Sequence, residues 1–209
     1  HVMRNNVSFY LFAKLKRCID LNHVIQKIWM RDWTTMNTAL EEVIYDKESL
    51  QEATDYAISL LRSWASTFTI LDDESMQAMK TPMFSMACIF SSILIIAEYL
   101  RSVERWAKTF NAGDPNAKTM NPTDKILWLK AGRLLKMFQK KLMSSDAKKY
   151  SEFAGVQKHE MLDITEVDES VLQRAIGLEA KVDETIQMIL AASLASKALY
   201  IGVRVIGDT

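Results

Sequence analysis

Apolar side chains return every three or four residues along most of this chain, the period of an α-helix. Phe9, Phe12, Leu15, Ile19, Val24 and Ile28 mark a first helix over 6–31. Thr34 or Thr35 is placed to cap a second, running to about Asp46. Ser49 and Glu52 form a Ser-x-x-Glu capping box for a third over 50–70. Its inward set includes Ala53, Ala57, Leu60, Leu61, Trp64 and Phe68. Asp72-Asp73-Glu74 opens a short helix or turn. Thr81-Pro82 then joins a capping hydroxyl to a proline at the first helical position, and predicts a central helix over 82–110.

The clearest break is 111–124, where Gly113, Pro115 and Pro122 sit among Asn and Asp. A helix over 124–143 follows, then a shorter one near 146–154 and a loose connection over 155–167. The last helix is expected from Asp168 to Tyr200, with Leu172, Ile176, Val182, Ile186, Ile189, Leu190, Leu194 and Ala198 as its stripe. The final residues, rich in β-branched side chains and glycine, are expected to fray or to reach a partner. No run alternates with the period of a strand, and no repeat is visible. The expectation is an all-α fold. It is one bundle of about six helices, spanning 3–209 around the apolar central helix and divisible at the 111–124 loop into 3–110 and 125–209.

Composition adds little to that picture. The 209 residues suit one domain, and the 3 prolines and 6 glycines leave long elements unbroken. His1-Val2 before Met3 is read as a processing remnant. Cys18 and Cys88 lie far apart and outside any Cys-x-x-Cys pair, which suggests free thiols in the cytoplasm or another reducing compartment. No secretory leader is read in the first apolar stretch, which Lys14, Lys16 and Arg17 interrupt. Residues 81–97 are uncharged but short for a membrane span, and Ser85, Ser91 and Ser92 dilute them. A core helix is the favoured reading there, and a membrane partner is not expected.

Charge changes the picture more. The chain is neutral overall, with 26 basic and 26 acidic residues. Residues 101–149 nevertheless hold 12 Lys or Arg against 4 Asp or Glu, while 150–209 hold 5 against 10. Such segregation makes a local field that attracts an anionic partner. On the 124–143 helix, Leu127, Ala131, Leu134, Leu135, Phe138 and Leu142 share one side. Lys125, Lys130, Arg133, Lys136, Lys140 and Lys141 take the opposite arc, with Ile126, Leu129 and Met137 among them. Lys148, Lys149 and Tyr150 extend that arc, and Trp128 borders it. Cations steer and hold an anion while apolar groups add contact area. The partner would be an acidic protein surface, a second copy of the chain, or a nucleic-acid backbone with bases stacked on Trp128 or Tyr150. An ordinary solvated face is the plain alternative.

Candidate chemistry is sparse. The acids Glu160, Asp163, Glu166, Asp168 and Glu169 lack the spacing and glycine of a calcium loop. His159-Glu160-x-x-Asp163 lacks the second histidine of a zinc-protease motif. Glu41-Glu42 and Glu52-x-x-Asp55 resemble the paired acids of all-helical nucleotide pyrophosphatases, but Tyr45 stands where a third glutamate belongs. Asp72-Asp73-Glu74 departs from the prenyl-diphosphate motif at Met76. Met76, Met79, Met83 and Met86 share a helical spacing that suits core filling. No glycine-rich phosphate loop and no nucleophile elbow is present.

Arg17 and His23 are separated by five residues. That spacing resembles the Arg-x(4–6)-His pair of the HEPN ribonuclease family of helical bundles. The resemblance implies that one residue holds the cut phosphodiester while the other moves a proton. It covers these two residues only, and Cys18 follows Arg17 where the family carries a polar residue. Coincident spacing is the favoured reading. The expectation is therefore a non-enzymatic assembly or scaffold subunit working by protein contacts, with no catalytic residues, metal or cofactor. A helical nucleoprotein or coat protein is the alternative, and a metal-independent ribonuclease a weaker one.

Overall fold

The computed structural model describes residues 2–44, 46–68, 83–111, 119–144 and 182–207. Among them lie eight helices and no strand. The helices are α1 (Val2–Cys18), α2 (Asn22–Trp29), α3 (Trp33–Val43), α4 (Lys47–Phe68), α5 (Met83–Thr109), α6 (Pro122–Ser144), α7 (Val182–Ala192) and α8 (Leu194–Gly207). The all-α reading holds. The expected turn at 72–74, the proline start at 81–82, the short 146–154 helix and the 155–167 connection lie outside the described residues.

Several boundaries differ from the sequence reading, each for a physical reason. The single helix expected over 6–31 is two, α1 and α2, separated at 19–21. Burial of both Ile19 and Leu21 fixes that break. The cap of α3 is Asp32, which accepts the Thr35 amide at 3.2 Å and the Thr35 hydroxyl, so Thr35 is the donor. At α4, Asp46 displaces Ser49 as the cap, accepting from Glu48 N at 3.3 Å and Ser49 N at 2.9 Å. A carboxylate satisfies orphan amides at a helix start and also meets the positive end of the helix dipole, and a hydroxyl does only the first. The α6 start falls at Pro122, two residues before the expected one, because Asn121 Oδ1 accepts the Asp124 amide at 2.6 Å. Of the helix expected over 168–200, residues 168–181 lie outside the described residues; the described part is interrupted at Ser193, whose φ of 45° is left-handed, and continues to Gly207.

The chain forms two compact units, 1–95 and 96–209, and the boundary falls within α5. In the first unit α1 packs on α4, and α2 on α3. Leu15 and Ile19 are buried, as are Ala53, Ala57, Ile58 and Leu61 of α4. In the second unit α8 packs on α6, and Leu127, Leu134, Phe138, Ile189, Leu194 and Ala198 are buried. Tyr99 and Asp124 pin α5 to α6 inside this unit. The buried Tyr99 hydroxyl lies 3.1 Å from Asp124 Oδ1 and 3.0 Å from its carbonyl oxygen, both acceptors. Burial and the adjacent carboxylate push the Tyr99 hydroxyl far above its ordinary pKa, so it stays a donor.

Among the described residues, Val182–Gly202 is long and apolar enough to cross a membrane by length and composition. It is broken at Ser193, and the Ala195 amide just beyond donates to the Glu104 carboxylate at 3.0 Å. A charged acceptor on a neighbouring helix is the attachment of a packed helix pair.

Candidate interaction surface

The second unit carries the helix that the sequence singles out. α6 begins with the Asn121 cap and Pro122, and its first turn is anchored through buried Asp124. That anchor sets the rotation of the helix. Leu127, Ala131, Leu134, Leu135 and Phe138 are buried, as the wheel predicts. Arg133 and Lys136 are exposed, Lys125 and Lys130 half-buried, and Ile126 is 51% exposed among them. Met137 is half-buried on the same arc. Among the described residues no ion pair holds Arg133 or Lys136. Lys140 and Lys141 continue α6, their side chains outside the described set, and Lys148, Lys149 and Tyr150 lie outside the described residues.

Two apolar members depart from the expected arc. Leu129 is buried, which narrows the exposed strip along the N-terminal half of α6. Trp128 is 2% exposed, and its indole N–H meets no acceptor among the described residues. The helix wheel puts Trp128 at the margin, and packing closes over it. It presents no ring face on which a base could stack, so the expected stacking contact is absent from this arrangement.

The two arginines of α5 are already engaged. Glu98, buried on α5, pairs with Arg101 at 3.1 Å and with Arg105. One carboxylate offsets one of these two charges, and both guanidiniums are held at the α5 surface by it. Glu104, the carboxylate that accepts at the start of α8, was invisible to sequence reasoning because its partner is 91 residues away. Burial lowers the Lys197 pKa, and nearby Glu104 opposes that shift.

Other candidate chemistry is dispersed. Arg17 lies in the last turn of α1 and His23 in the first turn of α2, both exposed, and no described hydrogen bond joins them. Glu41 and Glu42 are exposed on α3, and Glu52 on α4 accepts from the Tyr56 hydroxyl at 3.0 Å. Among the described residues no group of three or more His, Cys, Asp or Glu is placed to hold a metal ion. The acids of 160–169 lie outside them. Both cysteines are free thiols.

An all-helical chain with one cationic, partly apolar helix face is thus the class defined by the coordinates. No family model matches the chain, and no solved structure matches it. Two proteins of Saccharomyces cerevisiae do. The chain is 44% identical over 209 residues to Respiration factor 2, a match covering 99% of this chain and 15% of that protein. It is 38% identical over 205 residues to Probable transcription factor TDA9, covering 97% of this chain and 16% of that protein. The chain therefore spans less than one-fifth of the length of the curated relatives it matches.

Proposed function

We propose that this chain is a non-enzymatic helical module of a longer regulatory protein of transcription-factor type, and that it works by protein contacts. One observation carries the reading. Nearly the whole chain matches a stretch of two much longer proteins, one named Respiration factor 2 and the other Probable transcription factor TDA9. A segment retained end to end inside larger regulators suits a module that positions or recruits. In that context the working compartment is the nucleus, a reducing interior in keeping with two free thiols.

The α6 arc is the proposed contact surface. Arg133 and Lys136 supply unneutralised charge, Lys125 and Lys130 flank them, and Ile126 adds exposed apolar area. The test tethers the chain to an unrelated DNA-binding domain upstream of a reporter gene. Reporter output should change with the native chain and return to baseline with Arg133→Glu/Lys136→Glu. Output equal to the untethered control would reject the recruiting role.

The second reading, direct contact with a nucleic-acid backbone, is favoured only by the alignment of cations on one helix. Fluorescent DNA and RNA titrated across a salt series separate the two. Affinity that falls steeply with salt and is lost in the same double variant would put nucleic acid first.

A further inference from the structure

The second half of α5 carries a cationic line that the α6 arc does not include. Arg101, Arg105 and Lys108 follow one another at spacings of four and three, so they share one side of the helix. All three are exposed. Glu98, one turn before Arg101, pairs with both arginines, at 3.1 Å through Arg101 Nη1 and also through Arg105 Nη2. The Glu98 side chain is 7% exposed, yet those of Arg101 and Arg105 are 47% and 59% exposed. Each guanidinium therefore gives one nitrogen to the buried acid and keeps the rest of its fork toward solvent. Neither arginine has a further described acceptor, and Lys108 has no described ion pair. Glu104, the other acid of this stretch, is turned to α8, where it accepts the Ala195 amide at 3.0 Å.

One buried negative charge thus holds two guanidiniums, and an ammonium follows one turn on. A guanidinium is a planar fork of N–H donors that matches phosphate oxygens, and fixing it beforehand reduces the entropy lost on binding. The patch is short. No Lys or Arg precedes Arg101 on α5, none follows Lys108 before Lys118, and the line covers about 10 Å of helix axis. A nucleic-acid backbone carries one charge per phosphate along a strand and is held by a longer track of cations. A phosphate monoester concentrates a charge of about −2 and several strong acceptor oxygens at one point, which a compact cluster of two forks and an ammonium matches. We infer that Arg101, Arg105 and Lys108 form a docking site for a phosphorylated serine or threonine segment of a protein partner. The inference goes beyond the α6 surface and needs neither its cations nor its recruiting role.

The test uses the intact 209-residue protein and a fluorescein-labelled degenerate peptide library with phosphoserine fixed at its centre. Fluorescence anisotropy should show saturable binding that inorganic phosphate competes away. The same library with serine at the centre should bind about tenfold more weakly, because the charge-assisted hydrogen bonds are lost. Arg105→Lys keeps the charge without the fork and should weaken binding, and Arg101→Gln/Arg105→Gln should abolish it. Both changes disturb buried Glu98, so Lys108→Glu supplies a second arm. Lys108 is exposed and has no described partner, so this variant should keep the native circular dichroism and bind about threefold more weakly. Arg133→Glu/Lys136→Glu should bind the phosphoserine library as well as the native protein does. That variant separates the two readings: it silences the reporter if the α6 proposal holds and spares phosphopeptide binding if this one does. Equal binding of the serine and phosphoserine libraries would overturn the inference. So would binding indifferent to Lys108→Glu, or duplex DNA that binds more tightly than the phosphopeptides and is lost in the same variants.

Discussion

Single residues decide where the helices begin and which groups stay neutral. Asp46 accepts two amides at the start of α4, and those bonds hold its carboxyl below the ordinary range, the Ser49 contacts chiefly responsible. Asp32 at α3 is lowered in the same way, chiefly by Thr35. Asp46→Ala should lower the urea unfolding midpoint, because the Glu48 and Ser49 amides lose their acceptor. Because folding depresses both carboxyl pKa values, their contribution is full at neutral pH. It fades as pH falls below about 4, where the unfolded carboxylates begin to protonate. The acid limb of a circular-dichroism titration should therefore be shallower in the Asp46→Ala variant. Cys88 behaves oppositely. Burial pushes its thiol up to about 12. Its contribution is intact at neutral pH and is lost only as pH climbs above about 8.5 toward that value. Iodoacetamide at pH 8 should label half-buried Cys18 well before Cys88, and Cys88 only as fast as the protein opens. Rapid labelling of Cys88 in the folded protein would contradict its placement. The tendency of Asp to cap was legible in the sequence at Asp32 and Asp46. Three nearby hydroxyls competed for the assignment, and a carboxylate prevails because it adds charge complementarity to the hydrogen bond.

At the scale of elements, period and punctuation set most of what is observed. The α5 and α6 spans were legible to within two residues, because long apolar stripes bounded by Pro and Asn admit few alternatives. The breaks at 19–21 and at Ser193 were not, since neither carries a helix-breaking residue. Ser193 adopts a left-handed φ that costs an L-residue about 1 kcal/mol, so Ser193→Gly should raise stability by up to about that amount. Beyond the break, the Ala195 amide is satisfied by Glu104. Glu104→Ala leaves that donor without its acceptor, and hydrogen exchange at the start of α8 should accelerate. Between α5 and α6, Tyr99→Phe removes a buried donor from the Asp124 carboxylate and should cost about 1–3 kcal/mol. Melting of Tyr99→Phe at the native temperature would argue against the pairing.

For the molecule as a whole, the sequence determined fold class and charge segregation, because hydrophobic period and residue charge are local properties of the chain. The spacing of its apolar positions also puts Arg133 and Lys136 on the outward side of α6, where both are exposed. Tertiary structure decided how the cations are held and which aromatic groups face outward. Arg101 and Arg105 belong to the same basic segment as the α6 lysines, yet buried Glu98 holds that pair in place. Trp128 stands at the edge of the cationic arc in projection, yet packing covers it, while Tyr10 on α1 stays exposed. Trp128→Ala should accordingly behave as a core truncation costing about 3–5 kcal/mol, and not as a surface change that weakens binding at unaltered stability. A helix wheel reports direction about one axis. Whether a side chain at a given angle meets solvent or a neighbour depends on what packs beside that axis. Contacts between residues as distant as Glu104 and Ala195 make that choice, and no local pattern encodes them.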